Sequence, residues 1–503
     1  MKITSNKNII FINTVASLIL NVVTIIGGFI MPRLIIGSLG SEVNGLYLSL
    51  EQYLNYFSLA EGGLGGIVVA SLYKPLFDGD IQKVSKIIVT VTKFFRKIAM
   101  LFIIYMLLVA IAYPLLVKNS FSYYYVFTLT IILGVNFFIR YYSMLIWRML
   151  LNADKKVYVT AFVQTFCLIL EIIGFVVCIK IYPEIHIIKL ITVFAYIIQL
   201  MILQKYVTKN YIIDYTESAD NNLISQRWDG MGIMTAAFIH RNTDIVVLTI
   251  ASSLSVVSVY SVYSMIVNAI RSIIASIVSG VTPSIGEQIA AGNVDTLKKA
   301  YDSYEFIMTY IVFLIYSTCS MLIVPFVRIY TNGVTDANYI QPAFAFIITL
   351  SQMMYSLREP TSTVIYAANH YKATSRYAYA EAIINIVLSL VLVYKMGLIG
   401  VAIGTVVSIG IRYFCHIYYL EKHIIYKKIH ETIKLVGLFS IGFAIHYVSG
   451  YLYISKISVN YFSWVLYAVI TTVIGLIIYT VISYVFYRQE LTYFYKIIKS
   501  RSR

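Results

Sequence analysis

Charge is scarce in this sequence. Asp, Glu, Lys and Arg make up 12% of its 503 residues and hydrophobic residues 59%, against roughly 25% charged in soluble domains. A soluble fold could not bury that much apolar surface. The four cysteines, Cys167, Cys178, Cys319 and Cys415, all fall inside apolar runs, which excludes a disulfide framework and a metal knuckle and leaves packing as their role. The seven histidines show no metal-ligand spacing. External loops long enough to carry a Ser-His-Asp set are missing, so an enzyme of the membrane is not expected. Nor does a strand precede a glycine-rich loop, as a phosphate cradle requires.

What the chain has in abundance is long apolar runs. Fourteen can be read, at 9–31, 46–73, 98–117, 122–147, 157–179, 187–204, 230–251, 257–282, 303–327, 342–366, 377–394, 398–419, 435–454 and 461–486. A helix of about twenty residues crosses a hydrocarbon core roughly 30 Å thick. The first run is too long for the h-region of a signal peptide and leads into a second span, so it reads as a retained first helix. The fold class is therefore an all-α polytopic membrane protein with about 14 transmembrane helices.

The connecting loops alternate in charge. Of the 39 Lys and Arg residues, 27 fall on one set of loops and tails, seven on the other, and five inside runs. Lys and Arg are retained on the cytoplasmic side, so the rich face, which includes both termini, is expected in the cytoplasm. The formal net charge of +16 then faces anionic inner-leaflet lipids, and no nucleic-acid partner is expected. Two polar connections divide the ladder. They give an N-terminal six-helix lobe over 1–207, a cytoplasmic linker over 208–228 and a C-terminal six-helix lobe over 229–420. A second cytoplasmic linker over 421–434, helices 13 and 14 over 435–487 and a basic cytoplasmic tail over 488–503 complete the chain. From Leu491 the tail alternates apolar and basic residues, which suits a short interfacial helix. An ungapped offset of 213 residues superposes Val43, Tyr47, Asn55, Val68, Ser71, Gly79 and Lys86 on Val256, Tyr260, Asn268, Val281, Ser284, Gly292 and Lys299, and Asp80 on Asn293. Internal duplication with parallel halves is the reading.

The chemistry lies in the ionisable groups more than two residues from a run end: Glu51, Glu61, Arg140, Glu171, Arg241, Asp244, Arg271, Arg358, Glu359, Glu381 and Arg412. Facing lipid, they would cost about 30 kcal/mol in all, at about 2.5–3.5 kcal/mol each, beyond the usual net stability of about 5–15 kcal/mol. They must pair, snorkel or line a hydrated cavity. Arg140 and Arg412 lie toward the cytoplasmic ends of their runs and are expected to snorkel. Arg241 and Arg271 are central, where a cavity and a structural ion pair are equally open. Arg241 and His240 both lie within one turn of Asp244 and offer it a local partner. Glu51 and Glu61 occupy neighbouring faces of the second run, fit to balance a cation or to bind a coupling ion. Arg358 and Glu359 directly precede Pro360, where a helix can kink. The Gly62–Gly66 and Gly400–Gly404 spacings read as close helix packing.

The stretch MPRLIIGSLGSEVNGLYLSLEQYLNYFSLAEGGLGGIVVASLYKPLFDGD, Met31 to Asp80, resembles the first two helices of a known family. These are the bacterial polysaccharide flippases, of O-antigen, capsule or teichuronic type, in the multidrug, oligosaccharidyl-lipid and polysaccharide exporter superfamily. The likeness lies in Pro32, Leu39-Gly40-Ser41-Glu42, Gly45-Leu46 and the glycine-rich end of the second run. It continues in Arg241, Asn242, Asp244, Tyr260, Pro283-Ser284, Gly286-Glu287 and Gly292. The resemblance implies two six-helix lobes around a central cavity, two extra C-terminal helices and alternating access. It also implies a cargo: an oligosaccharide repeat unit on a polyprenyl diphosphate, moved from the inner to the outer leaflet of the bacterial cytoplasmic membrane for surface polysaccharide assembly.

A diphosphate needs cations, and arginine offers a bidentate fork. Arg241 and Arg271 are the expected substrate-binding cations, with Arg358 third. Glu51, Glu61 and Asp244 are expected to orient them or to take a coupling ion, H+ or Na+; no other cofactor and no metal site is expected. Besides the lipid-linked oligosaccharide, the expected partners are anionic membrane lipids and polysaccharide polymerase machinery. Six acids against five arginines away from the run ends give no cationic excess, so a cation-coupled multidrug exporter of the same superfamily is the alternative. A non-transporting scaffold would not need mid-membrane ionisable groups.

Overall fold

The computed structural model describes residues 6–61, 64–117, 120–219, 228–454 and 460–490. Part of the first linker and the tail from 491 onward lie outside the described residues, as do the side chains of His240 and Arg241. Among the described residues every regular element is helical.

In chain order these are α1 (Asn6–Leu39), α2 (Ser41–Asn55), a 3-10 segment Tyr56–Glu61, α3 (Leu64–Asp78), α4 (Ile81–Leu116) and α5 (Tyr123–Ile139). A π segment Arg140–Met144, α6 (Leu145–Ala153), α7 (Val157–Ile181), α8 (Ile185–Asn210) and α9 (Trp228–Ala251) follow. Then come α10 (Leu254–Ala290), α11 (Val294–Tyr330), α12 (Pro342–Ala367), α13 (Tyr371–Met396), α14 (Leu398–His423), α15 (Ile429–Ile454) and α16 (Tyr461–Phe486). Each of the fourteen runs read from sequence lies on a helix or on a broken pair, the second on α2 and α3 and the fourth on α5 and α6. Among the described residues eleven helices are long and apolar enough to cross a membrane. The chain is an all-α polytopic membrane protein.

The helices are apolar on both sides, as lipid requires. On α4, Phe95, Phe102 and Met106 are buried, whereas Leu101, Ile104, Leu108, Ile111 and Leu115 are exposed at helical spacing. Such a stripe is stable only against hydrocarbon.

The chain forms two compact units. One comprises 1–238 with 253–258, and the other 239–252 with 259–503. In the first, α1 packs on α7, α4 on α5 and α7 on α8; in the second, α12 and α13 pack on α14, and α15 and α16 both pack on α11. Glycine sets the closest of these approaches. A Cβ on Gly404 would lie 2.6 Å from Ser389 Oγ on α13, and one on Gly400 would strike the carbonyl of Leu392.

The two units share a local device at positions related by the 213-residue offset. Gly79 and Gly292 have φ of +70° and +71°, a conformation that glycine adopts without Cβ strain. The residue after each caps a helix: Asp80 accepts from the Lys83 amide at 2.9 Å, and Asn293 from the Asp295 and Thr296 amides at 3.0 and 3.1 Å. Two chemically similar caps after two left-handed glycines are what a duplicated turn would leave.

Candidate functional site

In the first unit the second run is broken where its chemistry lies. The 3-10 segment Tyr56–Glu61 interrupts it, and the π segment Arg140–Met144 interrupts the fourth. Arg140 Nη2 donates to Glu61 Oε1 at 3.0 Å, joining the two irregular stretches. Phe57 fills the space beside them, edge-on to Phe102 and Tyr141 at 5.2 and 5.7 Å. Tyr105 on α4 donates its hydroxyl to the Tyr53 carbonyl at 2.7 Å, near the end of α2, where helical donors run out.

One turn and more earlier on α2, Tyr47 and Glu51 meet Lys189 of α8. The ammonium lies 3.9 Å from Glu51 Oε1 and 3.3 Å from the centre of the Tyr47 ring. Glu171 on α7 accepts from Thr192 at 2.7 Å and acts electrostatically on both Glu51 and Lys189. A buried ammonium is thus matched by two carboxylates and a ring face.

The second unit holds a denser network. Glu381, on α13, is fully buried and is shared by two arginines. Arg358 Nη1 of α12 reaches Oε1 at 2.8 Å, and Arg412 of α14 bonds Oε2. Arg412 also donates to the Tyr366 hydroxyl at 3.1 Å and lies against His416 at 3.4 Å, which in turn meets Ser362 Oγ at 3.2 Å. Two guanidinium groups share one carboxylate in direct contact, and Glu359 offsets their charge from farther off.

Beside this network Tyr355 on α12 lies between two cations. Its ring centre is 4.6 Å from Arg358 Cζ and 5.3 Å from Arg271 Cζ of α10. Arg271 is half-buried and forms no ion pair among the described residues. It acts electrostatically on Tyr260, Tyr316 and Glu359. Tyr260 in turn donates to Asp244 Oδ2 at 2.8 Å, and Thr405 Oγ1 lies 3.3 Å from the same oxygen. Asn385 donates to that threonine at 3.0 Å, and its own Oδ1 is buried with no hydrogen-bond partner among the described residues. A carboxylate, a hydroxyl and an orphaned carbonyl oxygen are therefore gathered within one helical unit. Tyr260 stands, by the 213-residue offset, where Tyr47 stands in the first unit, and each meets an acid.

Among solved structures the chain resembles the lipid II flippase MurJ in an inward closed conformation. The identity is 15% and the TM-score 0.71, covering 96% of this chain and 100% of the flippase. It also resembles an inward-facing multidrug resistance MATE family transporter of the MOP superfamily, at 14% identity and a TM-score of 0.57 over 78% and 93% of the two chains. A further MATE multidrug transporter scores 0.59 at 14% identity, over 84% and 98%. The chain shares the fold of this flippase and these transporters. No family model and no curated protein sequence matches it. The solved structures it resembles are a flippase and multidrug transporters.

Within this fold the residues singled out from sequence take distinct positions. Glu51 and Glu61 occupy separate ion pairs of the first unit, while Asp244, Arg271 and Arg358 fall in the second. Arg241 is on α9, and its side chain is among those outside the described residues. Arg140 and Arg412, expected to snorkel, are each bound to a carboxylate from another element, Arg140 to Glu61 and Arg412 to Glu381. Pro360 does not end its helix, since α12 runs from Pro342 to Ala367.

Three groups were missed. Lys189, at the edge of the run 187–204, counts by charge among the seven basic residues of the poorer face, but α8 begins at Ile185 and carries it into the protein, where it is 5% exposed. Glu305, two residues into the run 303–327, stands deep in α11 because that helix starts well before the run, at Val294. Its carboxylate meets Lys427 at 2.5 Å and accepts from Tyr301 and Thr432 at 2.8 and 2.9 Å. Lys427, in the loop after α14, also meets Asp302 at 2.7 Å. Burial alone would lower its ammonium, but Glu305 and Asp302 outweigh burial and hold it above the ordinary lysine value.

Proposed function

We propose that this protein is a flippase for a polyprenyl-diphosphate-linked oligosaccharide, carrying it from the inner to the outer leaflet of a bacterial cytoplasmic membrane by alternating access. Both termini would be cytoplasmic, and surface polysaccharide assembly would consume the product. The observation that carries this reading is coverage. The likeness to the lipid II flippase extends over 96% of this chain, whereas the two multidrug transporters leave 16% and 22% of it unmatched.

The side chains fit such a cargo. Arg271, half-buried and without a carboxylate partner among the described residues, has its guanidinium fork available for phosphate oxygens. Arg241 would join it, with Arg358 behind them. The surrounding tyrosine and serine hydroxyls suit sugars. Coupling to H+ or Na+ would fall on Asp244, where Thr405 and Asn385 supply further oxygens; oxygen-lined helix breaks and termini are where such ions sit in transporters. That same carboxylate is the feature that favours the second reading, a cation-coupled multidrug exporter.

Deleting the gene and analysing the cell's lipid-linked oligosaccharides separates the two. The flippase reading expects accumulation on the cytoplasmic leaflet, relieved by the wild-type gene and not by Arg271→Ala. Normal surface polysaccharide together with altered drug sensitivity would reject it in favour of the exporter.

A further inference from the structure

We propose that Tyr355 is a positioning residue that sets Arg271 for the diphosphate, and that Arg358 acts through this ring instead of on the cargo. This rests on the flippase reading. The line of contacts is continuous. Glu381 fixes Arg358 at 2.8 Å, and Arg412 fixes Glu381 from the opposite side. Arg358 packs over the ring of Tyr355 at 4.6 Å, three residues earlier on the same helix, where i and i+3 side chains meet. Arg271, on α10, packs over the same ring at 5.3 Å.

The two arginines are not equivalent. Arg358 is 4% exposed and spends a nitrogen on Glu381. Arg271 is half-buried, and among the described residues the Tyr355 ring is its packing partner while no carboxylate ties it. A guanidinium held by its face on a ring keeps its N–H edge free to donate, because the attraction to the ring quadrupole acts normal to the plane. A carboxylate in the same place would hold Arg271 by that edge and neutralise it. The ring therefore orients the cation without consuming the donors that a diphosphate needs. It also holds a second guanidinium nearby, whose charge is shared with Glu381 and Glu359. Tyr316, whose hydroxyl meets Ser356 at 3.1 Å, stands in the same neighbourhood and lends polar surroundings.

The test is a double-mutant cycle on purified full-length protein in detergent, with undecaprenyl diphosphate as probe and undecaprenyl monophosphate as control. Tyr355→Phe, which keeps the ring face, is expected to bind the diphosphate as the wild type does. Tyr355→Leu is expected to weaken it about tenfold, the worth of one desolvated cation–π contact. In an Arg271→Ala background Tyr355→Leu is expected to have no further effect, an outcome that a purely structural role would not give. Wild type that prefers the diphosphate but tolerates Tyr355→Leu, or additive losses across the cycle, would overturn this inference alone. Phe failing as badly as Leu would overturn it too, by shifting the role to the hydroxyl. Wild type that does not distinguish the two lipids overturns the flippase reading and this inference with it.

Discussion

At the scale of single residues, Glu381 decides whether the second unit can keep its buried cations. Its two oxygens serve Arg358 and Arg412, and the set carries more positive than negative charge. Removing the carboxylate therefore leaves two buried guanidinium groups without a carboxylate in direct contact and only Glu359, farther off, to offset them, whereas removing Arg412 leaves Arg358 and Glu381 a matched pair. Breaking a buried pair by deleting one partner costs about 3–5 kcal/mol. Glu381→Ala is expected to lower thermal stability in detergent by that order, and Arg412→Met by clearly less. Thermal-shift measurements giving the reverse order would mean that Arg412, with Tyr366 and His416, carries the network.

At the scale of elements, glycines distinguish packing from freedom. Gly400 is needed sterically, since a Cβ there meets the Leu392 backbone carbonyl, and Gly400→Ala should destabilise by about 1–3 kcal/mol through overpacking of α14 against α13. Gly66, early in α3 just past the break in the second run, has nothing within 4 Å of the place a Cβ would occupy. Gly66→Ala should therefore fold normally, and gain up to about 1 kcal/mol in helix propensity. Comparing the melting temperatures of the two variants checks both at once; equal losses would show that Gly66 is packed as Gly400 is. The break beside Gly66 has the form of a bending point, with a 3-10 and a π segment joined by the Glu61–Arg140 pair. Departures of this kind often mark functional hinges.

At the scale of the whole molecule, what could be read from the chain depends on the range of the interaction responsible. The fourteen runs were legible because membrane length is written locally, in about twenty consecutive apolar residues. The Gly79 and Gly292 turns were legible as an offset match because capping is also local. The partners of the buried charges were not. Glu61 meets Arg140 from 79 positions away and Lys427 meets Glu305 from 122, and helical spacing tells which face a residue occupies but not which helix will cover it. Run ends misled for a related reason. Helices such as α11 extend beyond their apolar stretch, so Glu305 and Lys189 at the edge of a run are interior in the fold.

The central claim concerns movement of a lipid-linked diphosphate across a bilayer. It is tested most directly by reconstituting the purified protein into liposomes that carry a fluorescent polyprenyl-diphosphate oligosaccharide, and following the label's transfer between leaflets by chemical quenching from outside. Transfer by the wild type, lost in Arg271→Ala and retained in Tyr355→Phe, is the expected result. No transfer by the wild type, in vesicles where the same protein drives a cationic dye against an H+ or Na+ gradient, would contradict it.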